Sequence, residues 1–290
     1  MTDLAPNEKY TNAAIRPGDP DPHPDKPVGE YLTDVVSNDW VNNEYKLMVL
    51  KAPEKALTAY AGQFFHLLCP TPDGAEVWMR RPMSVYKVDK PAGQIEFLYK
   101  CEGRGTKGMA TLEAGDTFNV SGPLGIGFHL DPAWKNIVVL GRGVGLATLA
   151  PLSQLAAENG VGVTAILSAR KSDLVMSEDL FEELGADTVT VVDEDGSSDV
   201  DNVEKILEGL IADGKADAFF TCGSSRLLKL MQVLGKKYDV PGQVAMEQIM
   251  VCGVGACYVC MRTFEIDGEQ TLKRVCREGP VFNMQEAVGW

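Results

Sequence analysis

The chain has 290 residues, 45% of them hydrophobic and 23% charged, with a formal net charge of -14; such a length calls for two or three separately cored domains, and such acidity argues against nucleic acid or anionic membrane partners. No apolar run approaches the ~18 residues of a membrane span, and the N-terminus, MTDLAPNEKYTNAAIRPGDPDPHPDKP, lacks the basic start and apolar block of a secretory signal, so the expected compartment is cytoplasmic. Seven cysteines, an odd number in a chain expected to stay reduced, fit a disulfide framework poorly and point instead to metal.

Residues 1–28 are rich in Pro, Asp and Asn without apolar periodicity and are expected to form a flexible tail. Over 29–131 the runs EYKLMVLKA, GQFFHLLCP, GQIEFLYKC and DTFNVSG, divided by Gly and Pro, predict a small antiparallel β-barrel. Over 132–240 the texture changes. NIVVLG is a continuous apolar strand, LATLAPLSQLAAENG a helix with a glycine stop, and strands such as VGVTAILSAR and ADAFFTCG alternate with helices such as SRLLKLMQVLGKKY. That alternation predicts a parallel α/β sheet of the Rossmann-like, nucleotide-binding kind. Residues 241–290, rich in cysteine, are expected to form a third unit.

Within the first unit, RRPMSVY places Arg81, Pro82, Ser84 and Tyr86 on one extended segment. Arg81 is suited to a flavin phosphate, Ser84 to a hydrogen bond with the isoalloxazine or ribitol, and Tyr86 to stacking on a ring. An edge strand with a surface arginine would read the same way. YKCEGRGTKGM then offers Gly103, Gly105 and Thr106 before a helical turn, which would present N–H groups to a pyrophosphate or simply cap the turn. SGPLGIGF is either a hairpin turn or a loop closing over a cofactor.

In the second unit GRGVGLATLAPL follows a strand and opens a helix, so Gly141, Gly143 and Gly145 would let a dinucleotide phosphate approach the backbone. Leu146 keeps it from being a full G-x-G-x-x-G. Arg170 and Lys171 end the next strand, where a basic group would accept a 2'-phosphate and an acidic one would favour NAD; NADP stays open. The three histidines, His23, His66 and His129, form no hydrolytic triad or metal pair with their sequence neighbours, and no catalytic acid or base is assigned. Glu182, Glu183, Asp193, Glu194 and Asp195 read as a solvated face, and Cys69 and Cys101 as packing residues.

The densest signal is CGVGACYVC. Cys252, Cys257 and Cys260 follow C-x4-C-x2-C spacing and Cys276 supplies a fourth thiol, the plant-type arrangement for a [2Fe-2S] cluster. Gly253, Gly255 and Ala256 suit a loop that wraps a cluster tightly and aims N–H groups at sulfur. A structural zinc site is the alternative, although four-cysteine zinc sites arrive as two C-x2-4-C knuckles and here the last cysteine stands alone.

RPMS, then EGRGT, GPLGIGF, the glycine turn, a CG-containing last strand, and CGVGACYVC with VCREGPVF together resemble the electron-transfer subunits of dihydroorotate dehydrogenase B, in the ferredoxin reductase superfamily. The resemblance runs from about residue 29 to the end. It implies an FAD-binding β-barrel, an NAD-binding domain and a [2Fe-2S] domain, with the flavin touched by Arg81, Pro82, Ser84, Gly105 and Thr106, and the nicotinamide held by Cys222 and Gly223. It further implies a pyrimidine-biosynthesis complex with a catalytic flavoprotein subunit that oxidises dihydroorotate to orotate. Similar reductases carry GGGxGxAP at the glycine turn and CGP after the last strand, so Arg142, Thr148, Ser224 and Ser225 are departures. These leave room for a different nicotinamide or a different flavin- or iron-sulfur-dependent partner enzyme. The contrasting expectation is a zinc-stabilised nucleotide-binding scaffold with no redox role.

Overall fold

A computed structural model describes residues 28–71 and 77–289; the expected tail lies outside them except for Val28. In chain order the strands are β1 (Gly29–Trp40), β2 (Tyr45–Lys51), β3 (Phe64–Leu67), β4 (Arg81–Ser84), β5 (Lys87–Asp89), β6 (Gln94–Lys100), β7 (Thr117–Leu124), β8 (Asn136–Arg142), β9 (Gly162–Ala169), β10 (Asp187–Val192), β11 (Ala218–Cys222), β12 (Gly242–Ala245), β13 (Met261–Ile266), β14 (Glu269–Arg274) and β15 (Val281–Asn283). The helices are α1 (Arg104–Met109), α2 (Gly145–Glu158), α3 (Glu178–Glu183), α4 (Val200–Ala212), α5 (Ser225–Tyr238) and α6 (Val275–Glu278).

The first seven strands form one antiparallel sheet in the order β4-β3-β7-β1-β2-β6-β5. Its end strands, β4 and β5, are not hydrogen-bonded to each other, so the expected barrel is a curled sheet with an open seam. Phe65, Phe97, Tyr99, Phe118 and Val120 fill its interior, the inward half of strands that alternate as a one-sided sheet should.

The second sheet runs β10-β9-β8-β11-β12-β15, parallel except for β15. This is the doubly wound order, and its switch point, where β8 and β11 lead off to opposite sides, is the general place for a ligand. β8 is buried along its middle, Ile137 to Gly141, because helices cover both faces. Helix α2 is buried almost throughout its first nine residues, since it lies between the two sheets: Leu146, Ala147 and Leu149 share one core with Tyr45, Tyr86 and Leu98 of the antiparallel sheet and Ile137 and Val139 of the parallel one.

The parallel sheet continues past the expected boundary at 240. β12 and β15 are its fifth and sixth strands, paired Val244 to Phe282 and Ala245 to Val281, and the cysteine segment is an excursion between them that carries the hairpin β13–β14. Residues 241–290 are thus partly sheet and partly cluster segment. Four- and three-residue strands give too little periodicity to read. Among the described residues no helix is long and apolar enough to cross a membrane.

Candidate flavin and iron-sulfur sites

A cleft of about 760 Å³ opens between the antiparallel sheet, α2 and the segment leaving β12, within the usual size of a cofactor site. Arg81, Pro82 and Ser84 of β4, Gly103 and Thr106 around α1, and Thr148 of α2 line it. Arg81 makes no ion pair among the described residues and donates only to the carbonyls of Met79 and Arg80, so its charge is available to a phosphate. Gly105 lets this happen. A Cβ there would fall 3.1 Å from Arg81 Cγ and Nε and from Cys69 Sγ, so glycine allows α1 to close onto the arginine stem. Thr106 acts locally, its hydroxyl accepting the N–H groups of Glu102 and Gly103 at 3.2 and 3.1 Å. The first-turn N–H groups of α1 have no partner within the helix, as at any helix start.

Tyr86 is a correction. It is absent from the cleft wall and lies 7% exposed in the core between the sheets, where its hydroxyl donates to Ser177 Oγ at 3.0 Å. The alternation that put it beside Arg81 and Ser84 presupposes a continuous strand. β4 instead ends at Ser84, and the backbone N–H groups of Val85 and Tyr86 turn to the carbonyls of Gln63 and Glu96.

At the switch point Gly145 of the glycine turn and Gly223 after β11 serve packing as well as any ligand. A Cβ on Gly145 would fall 2.5 Å from the Cys222 carbonyl oxygen, and one on Gly223, at φ +91°, would strike the Arg142 carbonyl oxygen. Gly143 has φ +55°, and Gly141 faces Leu146 and Leu149. Thr148 then joins the units: its hydroxyl donates to Ser84 Oγ at 2.8 Å and reaches the Cys222 thiol, which burial pushes far up. The residue that departs from the related pattern is thus the one that connects Ser84 to Cys222.

A second cavity, of about 220 Å³, lies against Tyr45, Arg142, Gly143, Arg170 and Gly223. Both arginines are engaged. Arg142 forms an ion pair with Asp193 at 2.5 Å and donates to Ser168 Oγ at 3.0 Å, holding the Asp193 carboxyl below the usual range. Arg170 pairs with Glu44 at 2.6 Å, across to the antiparallel sheet, while Lys171 is exposed. Sequence reasoning missed Glu247, which borders both cavities. Its side chain is exposed to the cleft, yet the protein around the carboxyl displaces enough water, with the Glu102 charge adding to the effect, to raise its pKa. Its only signal is an acidic residue directly after the apolar run GQVAM.

The four cysteines come together as two pairs. Cys260 and Cys276 are buried with sulfurs 3.2 Å apart, and the hydrogen bond they share lowers the pKa of the Cys260 thiol while raising that of Cys276, so the pair shares one proton. Cys252 and Cys257 form the other pair. Burial pushes the Cys252 thiol up, but the N–H groups of Cys257, Val254 and Ala256 and the Cys257 side chain outweigh it, leaving the thiol at about 7; Ala256 N donates to its sulfur at 3.2 Å. Gly253 and Gly255, at φ +71° and +82°, make these N–H contacts possible. Among the described residues no three His, Cys, Asp or Glu side chains converge as one metal ion would require. Two separate thiol pairs, without that convergence on one point, suit two irons better than one tetrahedral zinc.

The cage is tied to the fold. Arg274 clasps Glu278 at 2.6 Å, donates to the Gly255 carbonyl at 3.0 Å and lies 5.0 Å from the Tyr258 ring centre. Next to it, Lys273 and Glu286 form a buried ion pair at 3.0 Å, with the Lys273 ammonium 5.2 Å from the Phe264 ring centre. The outer rim is apolar and exposed at Ile249, Val254, Tyr258 and Val259. The cleft and the cage are neighbours: residues Met246 to Met250 line the cleft and run straight into Cys252.

Residues 33–128 match the oxidoreductase FAD-binding domain family, and residues 247–288 match the iron-sulfur cluster binding domain of dihydroorotate dehydrogenase B. The dihydroorotate dehydrogenase B (NAD(+)) electron transfer subunit of Desulforamulus reducens is 32% identical over 241 residues, 83% of this chain and 91% of that one. The subunit of the same name from Bacillus cereus is 34% identical over 231 residues, 78% and 86% of the two chains. Among solved structures, one described as an NADH-dependent reduced ferredoxin-NADP oxidoreductase, in work on flavin-based electron bifurcation, superposes with a TM-score of 0.74 at 27% identity over 89% of this chain and 90% of that one. A flavohemoglobin from Malassezia yamatoensis with bound FAD and heme, at 18% identity and a TM-score of 0.56 over 73% of this chain and 57% of that one, shares the fold.

Proposed function

This chain belongs to the family of dihydroorotate dehydrogenase B electron transfer subunits, and from that premise we propose that it moves electrons between NAD(P)H and a catalytic flavoprotein subunit, by way of FAD in the large cleft and a [2Fe-2S] cluster on Cys252, Cys257, Cys260 and Cys276. The flavin supplies exchange between a two-electron hydride and single electrons, and the cluster a one-electron relay. All else falls to the chain. Arg81 and the first turn of α1 hold the flavin phosphates. Ser84, fixed by Thr148, orients the redox end of the cleft, while Gly145 and Gly223 keep the switch point narrow enough for a nicotinamide to approach. Glu247 lines that junction and Cys222 is buried behind it, and the raised pKa of each keeps it uncharged over more of the pH range than a free group would be. The two thiol pairs hold the cluster, and the N–H groups aimed at Cys252 stabilise negative charge on sulfur.

The observation that carries this reading is the shared wall: the segment that lines the cleft continues into the first cluster cysteine, so a flavin and a cluster seated there are neighbours. The exposed apolar rim beside Cys257 gives the catalytic subunit a place to dock, which makes the assembly hetero-oligomeric. The test is elemental and optical. Anaerobically purified protein should contain about one flavin and two irons per chain and absorb well into the visible; a colourless preparation with stoichiometric zinc would reject the proposal.

The likeness at 27% identity to the bifurcating oxidoreductase supports a second reading, in which the partner is a flavoprotein with another substrate. Dihydroorotate-dependent bleaching of the reconstituted complex separates the two. Orotate formation favours the first.

A further inference from the structure

His66 stands where the flavin strand and the cluster loop meet. Its side chain is 2% exposed, and its Nε2 is buried with no hydrogen-bond partner among the described residues. Buried polar atoms are rarely left so, because an unmade hydrogen bond in the interior is costly; a partner supplied from outside the polypeptide resolves it.

The surroundings say which kind. On β3, His66 lies opposite Pro82 of β4, the strand whose Arg81 and Ser84 line the flavin cleft. Its ring lies against Gly253, where a Cβ would fall 2.9 Å from Cε1 and Nδ1 and 3.1 Å from Nε2. Any side chain at 253 would displace the imidazole, so the glycine that lets the loop turn also admits the ring to the backbone beside Cys252. Burial, with the Arg80 charge adding to it, pushes the imidazole down to about 4; the ring is neutral at physiological pH and carries one N–H. A cluster held on the neighbouring cysteines is bounded by thiolate and sulfide sulfurs, which accept hydrogen bonds and donate none.

We infer that His66 donates its Nε2–H to a sulfur atom of the iron-sulfur centre on the Cys252 side, as a positioning residue that favours the reduced centre. The inference rests on the [2Fe-2S] reading above. An N–H donor at sulfur stabilises the more negative state and so raises the reduction potential. It also fixes the ring between β4 and the loop, so one side chain of the flavin unit is bonded to the centre that the flavin reduces.

The test uses full-length protein labelled with 15N-histidine, reduced, and measured by pulsed electron paramagnetic resonance with parallel redox titration. The wild type should show a weak 15N coupling to the reduced cluster. That coupling should vanish in His66→Leu and His66→Gln and persist in His129→Gln. The cluster potential should fall in His66→Leu and fall less in His66→Gln, which keeps a donor, while the flavin potential stays put. A well-formed cluster signal without 15N coupling in the wild type overturns the inference and leaves the [2Fe-2S] reading intact, whether or not the variants fold. No cluster signal at all overturns that reading, and this inference with it.

Discussion

Replacing Lys273 by Met should loosen the cluster segment far more than an exposed lysine would. The Lys273 side chain is 4% exposed and its partner Glu286 11%, and the ammonium also lies over Phe264 and Phe282 at 5.2 and 5.9 Å. Removing one member of a buried pair strands the other, a loss of about 3–5 kcal/mol. For a chain of this size that is a melting-point drop on the order of 10 °C. The loss should depend on pH with a definite sign. Burial already raises the Glu286 carboxyl, with Lys273 opposing it, so without the lysine its folded pKa rises further above the unfolded one. A carboxyl raised on folding binds more protons in the native state, and stability then falls as pH rises through the folded value. The deficit should therefore be largest at mildly alkaline pH and shrink on acidification. Thermal melts of the holoprotein, followed at once by cluster absorbance and flavin fluorescence, test this, and the cluster signal should be lost first. The double variant Lys273→Met with Glu286→Leu should recover most of the loss. A single variant within ~1 kcal/mol of wild type, or an equal deficit at every pH, would refute the argument.

Cys260→Ser should abolish cluster absorbance and transfer to the partner while flavin content and flavin reduction by nicotinamide persist; undiminished cluster absorbance would remove Cys260 from the ligand set. Thr148→Val should lose the hydrogen bond to Ser84, about 1 kcal/mol of positioning, and slow flavin reduction roughly five-fold in stopped flow, an idea that an unchanged rate defeats. Glu247→Gln should melt higher than wild type at alkaline pH and converge with it in acid, because the raised Glu247 carboxyl costs stability as pH climbs through its folded pKa; parallel melting curves would contradict this. Gly253→Ala, at φ +71° and against His66, should bleach the cluster faster in air than wild type does.

What the sequence displayed was whatever repeats locally. The alternation of NIVVLG, VGVTAILSAR and ADAFFTCG with helices is a short-range pattern, and the parallel sheet follows from it; the C-x4-C-x2-C spacing is likewise local, whereas the pairing of Cys260 with Cys276 appears only in the fold. Tyr86 was misread because period-two alternation extends only as far as the strand does, and a backbone hydrogen bond to Glu96 ends it. β12 and β15 went unseen since Val244 meets Phe282 only after the whole cluster excursion closes. Arg170 read as a free basic group because a sequence does not state that Glu44 will claim it, and nothing near Arg142 announces its pairing with Asp193. Glu247 and His66 matter through neighbours far away in the chain; beyond the apolar run before Glu247, nothing adjacent to either announces it.

Both ends of the cysteine excursion are stitched together, Ala245 beside Val281. A loop so closed at its base cannot act as a swinging arm that carries charge from donor to acceptor. The cluster segment is anchored at both ends on the edge of the parallel sheet, so under the proposed function the acceptor must come to it. Turnover should then be indifferent to solvent viscosity once the complex has assembled, and grafting a short turn from Ala245 to Val281 would leave a flavin reductase with its wire cut.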